Sequence, residues 1–171
     1  MTRTFKKEIV TTSASGRSRL AHYTFAKGKA DHSPSFEAKL KDKIIPKLVD
    51  QTRKFRVDVI EVVAHTDEQA IAQRTSNLDW MLVDALKEPA PGAALVPGDN
   101  AGLGLSRAVS VVRALMLDGR LPQPQYRILP LSGGQLIDTT ERITPGGGGD
   151  VPSRRRIEIR LRRSQESLGQ N

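Results

Sequence analysis

From Arg155 to Arg163 the chain alternates. Ile157, Ile159 and Leu161 are apolar, while Arg156, Glu158, Arg160 and Arg162 are charged. A period of two is that of a β-strand, whose successive side chains point to opposite faces. Strict alternation predicts a sheet covered on one face, with the charged set turned to water. Such a sheet needs helices to cover its apolar side, so the rest of the chain must supply them.

Residues 56–64, RVDVIEVVA, are rich in β-branched residues and nearly continuous in apolar character. That pattern suits a central strand, here ending at His65-Thr66-Asp67. Residues 20–26, LAHYTFA, alternate as an earlier strand, and 125–132, QYRILPLS, read as another. Ser33 followed by Pro34 is a helix start. Phe36, Leu40, Ile44 and Leu48 then make one apolar stripe over about 34–53, with Lys39, Lys41, Lys43 and Lys47 on wet faces. Pro46 inside this pattern should kink the helix. Leu78, Met81, Leu82, Ala85 and Leu86 predict a short amphipathic helix. Leu105, Val109, Val112 and Met116, with Ala108 and Leu115 alongside, predict a long helix over about 101–118. Asp99 or Asn100 can cap it, and Gly119 stops it.

The remaining segments read as connections. Residues 1–19 are a polar, basic lead-in expected to be flexible, and 88–99 is a loop with Pro89, Pro91 and Pro97. The segment 133–153, with its run Gly146–Gly149, is expected to be a mobile loop, and 164–171 a disordered tail. One α/β domain over 20–163 follows, a two-layer sandwich of order β-α-β-(insert 68–99)-α-β-β with helices on one face of a mixed sheet.

The sequence has no cysteine, which excludes thiol catalysis, disulfides and thiolate zinc sites. No stretch approaches the ~18 apolar residues of a membrane span. With 27 Lys and Arg against 19 Asp and Glu, the net charge of +8 favours anionic partners.

Asp67 lies just beyond the carboxyl end of an inner strand, and Arg107 in the early turns of the long helix. Strand carboxyl ends and helix starts gather at one rim of such a sheet, the usual ligand edge. A carboxylate and a guanidinium at one rim can grip a zwitterion, Asp67 taking the ammonium and Arg107 the carboxylate. Spacing alone is better served by a plain salt bridge or by two solvated charges.

Residues 56–163 resemble the OmpA-like domain, the peptidoglycan-binding module found also in Pal and at the carboxyl end of MotB. The resemblance rests on VVAHTD at 62–67, NAGLGLSRAVSV at 100–111 and RRRIEI at 154–159. Asn100, Leu103, Arg107 and Ala108 stand in the register of the family's helix motif. FAKGKADHSPSF at 25–36 also resembles the family's first strand and helix entry. The resemblance implies noncovalent binding of a diaminopimelate-type peptide stem, anchoring an envelope or motor-like assembly to the wall, without catalysis, cofactor or metal. By position it implies Asp67 and Arg107 as ligand-binding residues, Asn100 shaping the pocket, Thr66 lining the rim, and Arg155 or Arg156 adding a second cation. Only one of those two arginines can share a given face.

The chain departs from the family at Ala64, at Gly104 in place of the motif serine, and at Arg154 in place of an asparagine. Forty positions also separate Asp67 from Arg107, so the insert 68–99 adjoins the rim as lid, partner surface or block. MotB-like relatives are the nearer comparison for an elaborated domain. They imply a homodimer or membrane-anchored partner subunits, in the periplasm or cell envelope. A signal or anchor would then be missing from this chain, and a complete chain would be cytoplasmic.

The rival reading is a basic domain that binds nucleic acid or a protein partner, its pocket lost. Against specific nucleic-acid binding, the last strand has no aromatic residue for stacking. A triad of His65, Asp67 and Ser106 lacks the G-x-S-x-G elbow. Trp80, off the apolar stripe, is read as packed on the body rather than stacked on a sugar or a partner.

Overall fold

The β-branched run makes the innermost strand. In the computed structural model, which describes residues 11–12, 17–20, 34–71, 75–87 and 95–164, the strands are β1 (Thr11–Thr12), β2 (Arg17–Leu20), β3 (Val59–His65), β4 (Arg127–Gly134) and β5 (Ile157–Arg162). They lie in the order β1-β2-β5-β3-β4. β3 and β4 are parallel, and β5 runs antiparallel to both β3 and β2. The helices are α1 (Pro34–Lys39), α2 (Ile45–Phe55), α3 (Leu78–Lys87) and α4 (Asn100–Asp118). This is the α/β sandwich expected, with Ile60, Val62, Ala64, Ile157, Ile159 and Leu161 packed under α1, α2 and α4.

Several boundaries moved, each for a local reason. Pro46 has no N–H to offer the helix. The disturbance appears one turn earlier, as a π-helical turn at Leu40–Ile44 where the Ile45 N–H reaches back to Leu40 O. Arg56 turns left-handed (φ 51°) to close α2, so β3 begins at Val59 rather than at 56. The strand beside β5 is Arg17–Leu20, three residues of the expected lead-in and the first of the expected strand, with Arg19 at the register position opposite Glu158. Residues 21–26, with the alternation expected there, lie outside the described residues, as do Pro89, Pro91 and 165–171. Ser164, expected to open a disordered tail, is instead bound to Asp58 through its N–H (2.7 Å) and its hydroxyl.

α4 is capped as expected: Asp99 accepts from the Gly102 N–H at 2.7 Å, and Gly119 takes φ 77° at the exit. Its burial is broader than one stripe. Leu103, Val109, Val111, Val112 and Leu115 are all buried, because α4 lies between the sheet and α3. Trp80, read from sequence as packed on the body, is 71% exposed, and Val83 beside it is 59% exposed. α3 turns Leu78 and Ala85 inward, which leaves Trp80 on its outer side.

The far face of the sheet is not simply wet. Glu158 and Arg156, expected to face water, are buried. Arg156 donates to Glu158 Oε1 at 3.0 Å and to the carbonyls of Ile137 and Asp138, so the chain after β4 covers this end of the sheet. That same segment, expected to be mobile, carries a β-bridge between Ile137 and Ile143 and a tight turn on the Asp138 carboxylate.

Candidate functional site

β3 and β4 end at the rim where β5 begins, and α4 starts over the same edge. Two backbone bonds close it: the His65 N–H donates to Arg156 O (2.8 Å) and the Thr66 N–H to Gly134 O (2.9 Å). The chain just past β3 and the chain just before β5 are thereby held side by side, and Asp67 meets Arg155. Arg155 Nη1 lies 2.6 Å from Asp67 Oδ2 and 2.6 Å from Asp150 Oδ1.

Arg107 is 0% exposed on the inner face of α4. Burial pushes its pKa down to about 10; the negative charge of Asp67 opposes that fall, and the positive charge of Arg155 adds to it. Asp67 therefore stands in the field of two guanidinium groups, one wholly buried. Thr66 is 0% exposed, and its hydroxyl has no hydrogen-bond partner among the described residues. With Asp99 as the cap, Asn100 is left to donate its side-chain amide to Gln69 O at 2.9 Å. It ties the beginning of the insert to the start of α4.

The sequence left Arg155 and Arg156 as alternatives, and the structure separates them. Arg155 lies at the rim, whereas Arg156 turns to the far face and pairs with Glu158, so the expectation of Arg156 at the pocket is corrected. His65 is also on that far side, 3.3 Å from Glu158 Oε1. Burial lowers its pKa, and the contact with Glu158 only partly offsets this. Burial works against the charge on Glu158, but His65, Arg156 and Arg160 outweigh it and keep its pKa low.

Sequence reasoning missed four side chains here. Glu68 accepts from Arg154 Nη1, from the Thr144 hydroxyl and from the Gly148 N–H. Arg154 also donates to Gln135 O. Asp150 completes the grip on Arg155; a carboxylate closing a glycine run just before an arginine cluster was the available signal. Ser132 on β4 is the fourth. A Cβ on Gly104 would collide with Ser132 Oγ, which donates to Ala101 O at 2.7 Å. The Ser132 hydroxyl thus occupies space that glycine at 104 leaves open. Gly104→Ser should cost about 1–3 kcal/mol of stability by overpacking. Adding Ser132→Gly should return most of that loss in chemical denaturation; an equal loss in the double variant would contradict the exchange.

The three groups on Glu68, Arg154 first, hold its pKa at about 2, below the ordinary carboxylate value. A depressed carboxyl pKa stabilises the folded contact above the unfolded value and loses that stabilisation as pH falls through the folded one. Exchange protection of the Gly148 amide should therefore persist at pH 5 and disappear as pH approaches 2. In Glu68→Gln it should be weak at both, as read by amide hydrogen exchange.

Among the described residues, no three His, Asp or Glu side chains converge as metal ligands, and no helix is long and apolar enough to cross a membrane. Ser106 is buried, and its hydroxyl donates to Gly102 O within its own helix. No family model and no curated protein matches the sequence. Solved structures do. A MotB-like protein from Desulfovibrio vulgaris has 21% identity and a TM-score of 0.52, over 86% of this chain and 75% of that one. The peptidoglycan-associated lipoprotein from Burkholderia pseudomallei (15%, TM-score 0.40) covers 81% of this chain and 85% of its own. The OmpA-like domain of FopA1 from Francisella tularensis (14%, TM-score 0.43) covers 96% and 99%. With the first of these the chain shares its fold, the α/β sandwich that the element order implied.

Proposed function

We propose that this rim binds the peptide stem of peptidoglycan noncovalently and so anchors an assembly of the cell envelope to the wall. The observation that carries the reading is a buried cation, Arg107, held at the ligand edge beside Asp67 and a second guanidinium, Arg155. A buried charge is costly, and a hydrophobic side chain would fill the same space at lower cost. Its retention at the ligand edge favours recognition of a charged group. All three sequence motifs meet there: HTD at the end of β3, the Asn100–Ala108 stretch on α4, and the arginines before β5. Asp67 offers a carboxylate to an ammonium, the arginines offer forks to a carboxylate, and a diaminopimelate stem carries both.

Charge-assisted hydrogen bonds contribute ~1.5–3 kcal/mol each. Two or three of them, after association costs, give roughly millimolar to micromolar affinity for one stem. Several copies meeting a repeating polymer would raise this by avidity. The nucleic-acid reading is weakened by where the basic residues go. Arg154, Arg155, Arg156, Arg160 and Arg162 all pair with acidic side chains of the same chain.

Co-sedimentation with purified sacculi tests the proposal, with Asp67→Asn and Arg107→Lys beside the wild type and circular dichroism to confirm folding. Binding that survives moderate salt and falls at least tenfold in both folded variants is the expected result. Binding that is lost in moderate salt and unaffected by both substitutions would overturn it.

A further inference from the structure

The rim groups differ in how firmly they are held. Arg107, Asp67 and Arg155 are buried or nearly so, while the Asp150 side chain is 49% exposed. Those first three sum to one positive charge, and Asp150 brings the set to zero. Arg155 meets both carboxylates through Nη1, and its Nε is buried with no hydrogen-bond partner among the described residues. The guanidinium is thus occupied without being saturated, and the charge neutralising the site is the one most easily withdrawn.

Asp150 ends a glycine-rich segment with little packing around it. Gly146, Gly147 and Gly149 have φ of 90°, 76° and 60°, and nothing lies within 4 Å of where their Cβ atoms would be. Glycine serves conformation here, not packing. Residues 145–150 are all exposed, so little apolar burial resists their release. Polar contacts hold the segment: the Gly148 N–H on Glu68, the Gly146 N–H on Thr144 Oγ1 (3.2 Å), and Asp150 on Arg155.

We propose that Asp150 is a built-in occupant of a carboxylate site on Arg155, and that the Gly146–Gly149 segment is a strap that lifts when a ligand carboxylate takes its place. The inference rests on the rim being a stem-binding site, and it divides the roles there: Arg155 receives the incoming carboxylate, and Asp67, beside buried Arg107, faces the ammonium. A strap of this kind lowers apparent affinity by the fraction of time the site is open.

Asp150→Asn keeps the shape and removes the charge. In sedimentation with sacculi at fixed salt it should bind about fivefold more tightly than wild type, the factor for releasing one partly exposed ion pair. Amide exchange of 145–151 should rise in this variant alone, and in the wild type on adding diaminopimelate. Asp79→Asn on α3 makes the same change in net charge outside the four rim groups and should leave binding unchanged. Equal affinity of wild type and Asp150→Asn would overturn the strap while leaving the wall-binding reading intact. An equal gain in Asp79→Asn would overturn it too, as bulk charge. If no variant binds sacculi, the wall-binding reading fails and the strap fails with it.

Discussion

Asp67→Ala should lower the free energy of unfolding by about 3–5 kcal/mol, the range for removing one partner of a buried ion pair. Arg107 has no exposed surface, and burial already holds its pKa at about 10 with Asp67 opposing that fall. Without Asp67, the positive charge of Arg155 still acts against that of Arg107. A double variant, Asp67→Ala with Arg107→Met, removes both charges and keeps an unbranched apolar chain in the space. It should recover at least half of the loss, because two absent charges cost less than one uncompensated charge. Urea midpoints at constant m-value provide the measurement. A loss below about 1 kcal/mol in the single variant would mean that Arg107 is satisfied without Asp67. The effect also dictates how binding is tested: Asp67→Asn keeps the side chain's volume and hydrogen-bonding oxygen, so it is the cleaner variant for sedimentation.

Gly133→Ala should cost about 1–3 kcal/mol, for a steric reason alone. A Cβ at Gly133 would come within 2.5 Å of Cε1 and Nδ1 of the His65 ring, and that ring is fully buried. It cannot swing into solvent, so the backbone of β4 or the ring must shift. His65→Ala alone should also destabilise, by emptying the space between Gly133 and Glu158. Combined with Gly133→Ala it should cost less than the sum of the two, since the new methyl enters the vacated volume. Strict additivity in thermal or chemical unfolding would show that the two positions do not share that space.

The pattern of success and failure along the chain has a common cause. The α4 boundaries were legible because a cap and a stop are local: Asp99 bonds a backbone N–H three residues on, and Gly119 needs only its own φ. β3 was legible because a strand buried on both faces must be apolar almost throughout. β5 was half legible. Its inward set was correct, but Glu158 and Arg156 were expected in water because their cover, the chain around Ile137 and Asp138, arrives from elsewhere. The first strand was placed at 20–26, of which only Leu20 is among the described residues, and pairing with β5 adds residues 17–19, a stretch with little strand character of its own. Pairing across strands, rather than propensity, settles such an edge.

The site divides in the same way. Asp67, Arg107, Asn100 and Thr66 were nameable from sequence, since each follows a strand end or opens a helix in a recognisable motif. Glu68, Asp150 and Arg154 were not, because their meaning lies in contacts between positions five to more than eighty residues apart. Neither could sequence choose between Arg155 and Arg156. Alternation says that neighbours face apart, not which of them faces the rim.

By itself, then, the order of residues determined the layers, the helices and the edge where chemistry gathers, because periodicity, capping and strand burial act over a few neighbouring positions. Tertiary structure alone decided that Arg155 rather than Arg156 joins Asp67, that Ser132 fills the space left at Gly104, and that Asp150 closes the site. Those outcomes depend on which distant charges and voids come within a few ångströms of one another, and that is set only when the sheet closes under α4.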